Sequence, residues 1–156
     1  MSHIYLLMGL PFTGKSTYAR QTSLPLIEID EVRKTLTGSY QAQDQTSSLI
    51  FDVVFQSVSH YLSNDQDVIV EGLFLTEKSR KVFIDLANTY NASIDVLWFD
   101  PSLEWIKQNM VKNEKIEKKH VTLAYLEGLL RDVDFPTTDE GIHRIFYYTE
   151  KDFIEN

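Results

Sequence analysis

The sequence predicts an α/β fold, a five-stranded parallel sheet with helices on both faces in three layers, and two observations carry that prediction. Short apolar runs alternate along the chain with segments whose apolar residues recur at helical spacing. The turn after the first apolar run is glycine-punctuated and ends in Lys15-Ser16, a pattern that joins a buried strand to a helix. Strands joined through helices require right-handed crossovers, which lay the helices against the sheet.

Each element follows from its residues. Ile4-Tyr5-Leu6-Leu7-Met8 is apolar throughout, as a strand buried on both faces is, and Ser16 to Arg20 continues as a helix. Leu26-Ile27-Glu28-Ile29 reads as the second strand, and the polar stretch from Gly38 to Ser48 as a mobile loop. Residues 48–62 read as a helix, with Ile50, Val54, Val58 and Tyr61 at helical spacing. Val68-Ile69-Val70 is the third strand, followed by a helix over about 77–90 that Thr76 can N-cap. Ile94 to Phe99 is the fourth strand. Asp100 then reads as an N-cap and Pro101 as the first position of a helix running to about residue 112. Thr122 to Arg131 is a helix with Leu123, Leu126, Leu129 and Leu130 on one face. The loop from Phe135 to Gly141 leads into the last strand, Ile142 to Tyr148, where Tyr147 and Tyr148 pack the end of the sheet.

Composition bounds the possibilities. A chain of 156 residues is expected to form a single domain that buries about two-thirds of its unfolded surface. It has no cysteine, which excludes disulfides, thiolate metal sites and cysteine nucleophiles. The four histidines His3, His60, His120 and His143 show no ligand spacing. No apolar run has bilayer-spanning length, and Met1-Ser2-His3 leads straight into the first strand, so a cytoplasmic location without membrane attachment is expected. The net charge of −8 is uneven: residues 1–100 and 121–156 each carry −5, whereas residues 101–120 carry +2. An acidic protein repels a long polyanion, which disfavours extended nucleic acid and leaves a small substrate or a nucleic-acid end.

Gly9-Leu10-Pro11-Phe12-Thr13-Gly14-Lys15-Ser16 is a complete phosphate-binding loop of the form G-x-x-x-x-G-K-[ST]. Its glycines let successive N–H groups turn inward onto phosphate oxygens, Lys15 reaches the β and γ phosphates, and the Ser16 hydroxyl can ligate Mg²⁺. Gly9, Pro11, Phe12, Thr13, Gly14, Lys15, Ser16 and Thr17 are therefore expected to hold a nucleoside triphosphate, ATP with Mg²⁺, at the start of the first helix.

Ligands of such sheets sit at the carboxyl ends of the strands, so the polar residues there are the next candidates. Asp30 follows the second strand, and Arg33 lies one turn further along the same face. The carboxylate can take a proton from an attacking hydroxyl while the arginine holds the acceptor or a phosphate. Asp30 can equally N-cap a short helix from Glu31 to Thr37 closed by Gly38, and the two readings do not exclude each other. Glu28 either joins the site or faces a helix. Glu71 follows the third strand, where an acid can hold Mg²⁺ through water; a buried carboxylate with no partner there would be costly. Arg80, on the next helix, reads as a solvated surface arginine rather than a site residue. The lysines at 107, 112, 115, 118 and 119 form the basic stretch, placed where a lid over about 107–121 can close on a transferred phosphate. Of these, Lys112 and Lys107 are expected to point inward, with Lys112 stabilising charge, and Lys118 and Lys119 to face solvent.

These residues together resemble the small P-loop kinases of the polynucleotide kinase and zeta-toxin-like type, with AAA-type P-loops. The resemblance rests on Gly-Leu-Pro-x-x-Gly-Lys-Ser-Thr at Gly9 to Thr17, Asp-x-x-Arg at Asp30 to Arg33, and the Val-Ile-Val-acid strand ending at Glu71. It continues with Arg80 after Phe74-Leu75-Thr76, and with Phe135-Pro136 before Glu140-Gly141. It implies a P-loop NTPase fold, Asp30 as general base for a substrate hydroxyl, Arg33 as the contact to acceptor or phosphate, and an arginine-rich lid. Two departures stand out. Glu71 takes the place of the usual aspartate, and the lid pattern Arg-Asn-x-x-Arg appears as Gln108-Asn109-Met110-Val111-Lys112. Lysine is a point charge without arginine's bidentate fork, so either Lys107 and Lys112 substitute or catalysis is weak.

Two classes of function are consistent with these residues. One is an enzyme moving the γ-phosphoryl of ATP to a hydroxyl, on a small molecule or, alternatively, on the 5′ end of a polynucleotide. The other is a nucleotide-binding or hydrolysing switch module. A guanine-reading Asn-Lys-x-Asp is absent, and Asp-x-x-Arg with the basic stretch favours the kinase.

Overall fold

The computed structural model describes residues 1–112 and 121–154. Its strands are β1 (His3–Met8), β2 (Leu26–Glu28), β3 (Val68–Glu71), β4 (Ser93–Phe99) and β5 (Arg144–Tyr148). Its helices are α1 (Lys15–Arg20), α2 (Ile29–Thr37), α3 (Asp44–Ser63), α4 (Glu77–Thr89), α5 (Leu103–Lys112), α6 (Leu123–Arg131) and α7 (Glu150–Ile154), with a 3₁₀ turn at Thr138–Glu140. The strands line up in the order β2-β3-β1-β4-β5, and every neighbouring pair is parallel. All carboxyl ends therefore share one edge. The chain leaves β1 toward β2 on one side and leaves β3 toward β4 on the other, which makes the ends of β1 and β3 the topological switch point. Among the described residues no helix is long and apolar enough to cross a membrane.

The continuous apolar runs of β1 and β3 are the signature of strands covered on both faces, and Ile4, Leu6, Leu7 and Met8 have no exposed surface. One face packs on Ile50, Val54 and Val58 of α3, Phe83, Ile84 and Ala87 of α4, Ile106 of α5 and Leu126 of α6. The other face is thinner: Leu7, Ile69, Leu97 and Phe99 meet Ala19 of α1 and Leu24 of the following turn.

Several element boundaries move from their expected places. Ile29 opens α2 instead of closing β2, so Asp30 lies in the first helical turn and Glu28 takes the N-cap position. The cap reading of Asp30 is thereby overturned, while Gly38 closes the helix as expected, with its N–H on the Lys34 carbonyl. Glu28 makes no side-chain cap bond because Arg20 Nη2 donates to its carboxylate at 3.1 and 3.2 Å. The stretch expected as a loop up to Ser48 is already helical from Asp44; its polar first turn carries no apolar period to reveal it. Ser102, not Asp100, caps α5, since its hydroxyl accepts from Trp105 N at 3.2 Å while the Tyr147 hydroxyl donates to Asp100 at 2.7 Å. That bond, with burial and the Asp100 charge adding to it, pushes the Tyr147 hydroxyl up to about 12. The last strand starts at Arg144, after the 3₁₀ turn, and α7 was not foreseen.

α4 begins as the sequence indicates. Thr76 Oγ1 accepts from Ser79 N at 3.2 Å, and Ser79 Oγ accepts in return from Thr76 N at 3.3 Å. Thr76→Ala is expected to cost about 1 kcal/mol, a fall of about 2–4 °C in melting temperature, read by calorimetry.

Candidate active site

The phosphate loop is shaped by backbone, not by side chains. Gly9 (φ 151°) and Gly14 (φ 91°) both hold positive φ, and Phe12 between them sits in the left-handed region at 64°. Gly9 has no room for a side chain: a Cβ there would lie 2.4 Å from the Phe99 carbonyl oxygen. Its N–H donates to the Leu73 carbonyl at 3.0 Å, so the loop starts wedged between the ends of β3 and β4. Thr13 is buried and its hydroxyl donates to Leu10 O at 2.8 Å, which pins the turn from within. Gly14 then serves as the left-handed N-cap of α1 and presents the first-turn N–H groups outward.

Lys15 is buried beneath this loop. Its Nζ donates to Gly9 O at 2.5 Å and Gly72 O at 2.7 Å and lies 3.5 Å from Glu71 Oε1. The ammonium thus ties the start of the loop to the end of β3, and Glu71 has the cationic neighbour that a buried carboxylate needs. Ser16, half-buried, stands on the next residue of α1. Among the described residues no three His, Cys, Asp or Glu side chains cluster to form a metal site. A hydroxyl and a carboxylate flanking a phosphate loop are a donor set of hard oxygens, which suits Mg²⁺ completed by phosphate and water rather than a metal held by protein alone.

On the β2 side, Arg33 Nη1 donates to Asp30 Oδ1 at 2.6 Å. Arg33 is largely buried, with 13% of its side chain exposed, and Asp30 is half exposed at 48%. Asp30 Oδ2 makes no hydrogen bond among the described residues, so the arginine fixes one oxygen and leaves the other turned to solvent. The two residues before Asp30 connect it to the loop: Glu28 stands in register with Glu71, and Ile29 Cδ1 would lie 3.1 Å from a Cβ on Gly72.

On the β4 side, α5 meets the loop through residues other than those expected. Asn109 Nδ2 donates to Phe12 O at 2.8 Å, and the Trp105 ring reaches to 4.0 Å of a Cβ placed on Gly14. Lys107 and Lys112, expected to point inward, are both exposed and make no hydrogen bond or ion pair among the described residues. Helical spacing accounts for this: Trp105 and Asn109 are four apart and share the loop-facing side. The remaining lid positions, with Lys115, Lys118 and Lys119, lie outside the described residues.

Arg80 corrects the sequence reading most sharply. It is fully buried. Its Nε and Nη2 form a bidentate pair with Glu140 at 2.9 and 3.0 Å, and its Nη1 donates to Phe74 O at 2.8 Å, with Met8 Sδ at 3.9 Å. Glu140 Oε2 also accepts from Thr137 N at 2.9 Å, so one guanidinium locks the 3₁₀ turn to the segment after β3. The Arg80 and Glu140 positions were both visible in the family pattern, but nothing in helical spacing pairs residues sixty apart.

Removing one partner of this buried pair is expected to be severe. Arg80→Leu should cost about 3–5 kcal/mol, and Arg80→Leu combined with Glu140→Leu less than that; urea unfolding of both variants measures the difference.

Comparison with known proteins agrees with this geometry. The model of the AAA domain family matches residues 4–136, and the chain belongs to that family, the P-loop kinase type that its motifs resemble. No curated protein matches the chain. Among solved structures it is similar to an unliganded sugar kinase from Janibacter sp. HTCC2649, at 19% identity and a TM-score of 0.69, covering 97% of this chain and 87% of that one. It is also similar to a gluconokinase from Sinorhizobium meliloti 1021, at 18% identity and a TM-score of 0.59, covering 94% and 82%. A chain of the Pnkp1/Rnl/Hen1 RNA repair complex matches at 22% identity and a TM-score of 0.72, covering 84% of this chain and 43% of that one. At these identities the likeness establishes the kinase-like P-loop fold.

Proposed function

We propose that this chain is a single-domain, cytoplasmic, ATP-dependent phosphotransferase that moves the γ-phosphoryl group to a hydroxyl of a small-molecule acceptor. The observation that carries the reading is the Asp30–Arg33 pair at the carboxyl edge, with one carboxylate oxygen held and the other open. In this reading Asp30 Oδ2 accepts the acceptor's hydroxyl proton as its oxygen attacks the γ-phosphorus, and the bond from that phosphorus to the bridging oxygen breaks to release ADP. Arg33 keeps the carboxylate aimed and meets the acceptor or the phosphate. The loop from Gly9 to Thr17 orients the triphosphate through backbone N–H groups, and Lys15 supplies the cation at the β and γ phosphates. Ser16 and Glu71 would hold Mg²⁺, which when bound neutralises charge on the phosphate oxygens. Lys112, exposed at the end of α5, completes the set as a further cation.

The net charge of −8 supports a small acceptor, because a polynucleotide is held through many phosphate contacts. The sugar kinase and gluconokinase neighbours are consistent with this class, and the RNA repair neighbour keeps the 5′-hydroxyl of a polynucleotide as the alternative.

Three substitutions test the assignment. With ATP at about 100-fold its dissociation constant, binding should stabilise the protein by about 2.7 kcal/mol, and Lys15→Ala should remove most of the resulting thermal shift. Asp30→Asn keeps the hydrogen bond to Arg33 and should lower transfer by about 10²–10⁴-fold, with ATP binding and melting temperature nearly unchanged. Lys112→Ala should lower turnover about tenfold or more, since an exposed cation adds little to stability. Thermal melting with and without ATP reads the first, and a radiolabelled-ATP assay over sugars, nucleosides and a 5′-hydroxyl oligonucleotide, at two salt concentrations, reads the other two. Phosphorylation of the oligonucleotide alone would overturn the small acceptor, and ATP binding without transfer to any acceptor would overturn the kinase.

A further inference from the structure

The thinner face of the sheet holds a feature that phosphoryl transfer does not use. Between α1, the turn after it and strands β1, β4 and β5 lies a cavity of about 290 Å³, room for a ligand of about ten non-hydrogen atoms. Tyr5 in its wall is four residues upstream of Gly9, about 13 Å along a strand, so the cavity's Tyr5–Asp95 end lies well below the phosphate loop, while Tyr148 bounds it toward the carboxyl edge.

Asp95, in the middle of β4, lines this cavity and has no exposed surface. Its Oδ2 accepts from Arg144 Nη2 at 3.1 Å, while Oδ1 is buried without a hydrogen-bond partner among the described residues. A buried acceptor left without a donor is costly, and a charged one more so. Arg144, which also lines the cavity, satisfies Oδ2 alone; its guanidinium is half exposed and lies over the Phe146 ring at 5.5 Å. The rest of the wall is aromatic. Tyr5, Tyr18 and Tyr148 face the cavity, and their hydroxyls make no hydrogen bond among the described residues. Burial, then the carboxylates of Asp67 and Asp95, push the Tyr5 hydroxyl up, and Arg144 offsets them only in part.

We propose that this cavity binds a small organic ammonium, an amine on an apolar body, whose N–H donates to Asp95 Oδ1 while the tyrosine rings enclose its carbon skeleton. A carboxylate beneath aromatic faces suits a cation on two independent grounds, the charge-assisted hydrogen bond and the ring quadrupoles. An anionic ligand could pair with Arg144, but it would meet Asp95 as a like charge and bring Oδ1 no donor. A neutral hydrocarbon would leave Oδ1 without a donor.

The test uses 2-phenylethylammonium, which has nine non-hydrogen atoms by its formula, with 2-phenylethanol as the neutral isostere. Calorimetry measures affinity on the full chain, and two-dimensional NMR maps the site. The amine should bind with a dissociation constant of about 1 mM or tighter and shift resonances of Tyr5, Asp95 and Tyr148. The alcohol should bind at least about tenfold more weakly, and Asp95→Asn should weaken the amine by a similar factor. Arg144→Ala removes a competing cation from an exposed position and should tighten amine binding; it decides the matter with the alcohol comparison if Asp95→Asn does not fold. No amine binding, equal binding of the alcohol, shifts confined to residues 9–17, or weaker amine binding in Arg144→Ala would each overturn the proposal.

Discussion

Gly9 stands where the ends of three strands converge, and the backbone there leaves no space for a side chain. The Phe99 carbonyl of β4 closes on its α-carbon, the Leu73 carbonyl beyond β3 takes its N–H, and Lys15 reaches back to its own carbonyl. A single residue thus fixes the origin of the phosphate loop relative to β1, β3 and β4. The direction of α1, the burial of Lys15 and the position of Glu71 follow from that closure. Backbone contacts are well suited to this task, because they cannot rotate away as a side-chain contact can.

How much of this was legible in the sequence depends on the range of the interaction concerned. The loop was fully legible, because its glycines and Lys15 act within eight consecutive residues. The central strands β1 and β3 were legible because a strand buried on both faces reads as a continuous apolar run. Boundaries were less so where a polar side chain chose a distant partner over a local one. Asp100 looks like a cap, yet Tyr147 takes its carboxylate; Glu28 occupies a cap position, yet Arg20 takes its carboxylate. The role expected of Asp30 as a cap failed for the simplest reason, a helix that starts at Ile29, two residues before the expected Glu31. Asp95 gave no signal at all: a single acid within an apolar strand reads as an exposed position until the sheet order puts Tyr5 and Arg144 on either side of it.

The Arg80–Glu140 pair shows how a remote side chain can organise the carboxyl edge without touching a reactant. Arg80 Nη1 fixes the carbonyl of Phe74, a residue held at a positive φ of 51° directly after the turn that carries Gly72 and Leu73. Those two residues supply carbonyls to Lys15 and to the Gly9 N–H. A chain of hydrogen bonds therefore runs from the 3₁₀ turn at Thr138–Glu140, through Arg80 and the segment after β3, to the start of the phosphate loop. An apolar pair could fill the same volume, but it would offer no donor to the Phe74 carbonyl. That donor requirement is a physical reason for an arginine at this depth.

The basic stretch poses the converse problem, charge without a fixed position. α5 is attached to the loop by Asn109 on Phe12 and by the Trp105 ring near Gly14, contacts that are neutral. Lys107 and Lys112 on the same helix are exposed, and an exposed ammonium is weakened by solvent and by salt. Lys15 differs on both counts, being buried and held by two carbonyls. If phosphoryl transfer occurs at this edge, the preorganised cation is Lys15, and the lysines of α5 add to it only when their flexible stems bring them to the phosphate. An arginine at either position would have bound two oxygens at once with its planar fork. A lysine there must lose more rotamer freedom for each hydrogen bond it gains, so the proposed catalysis leans on the loop and the Asp30–Arg33 pair rather than on the lid.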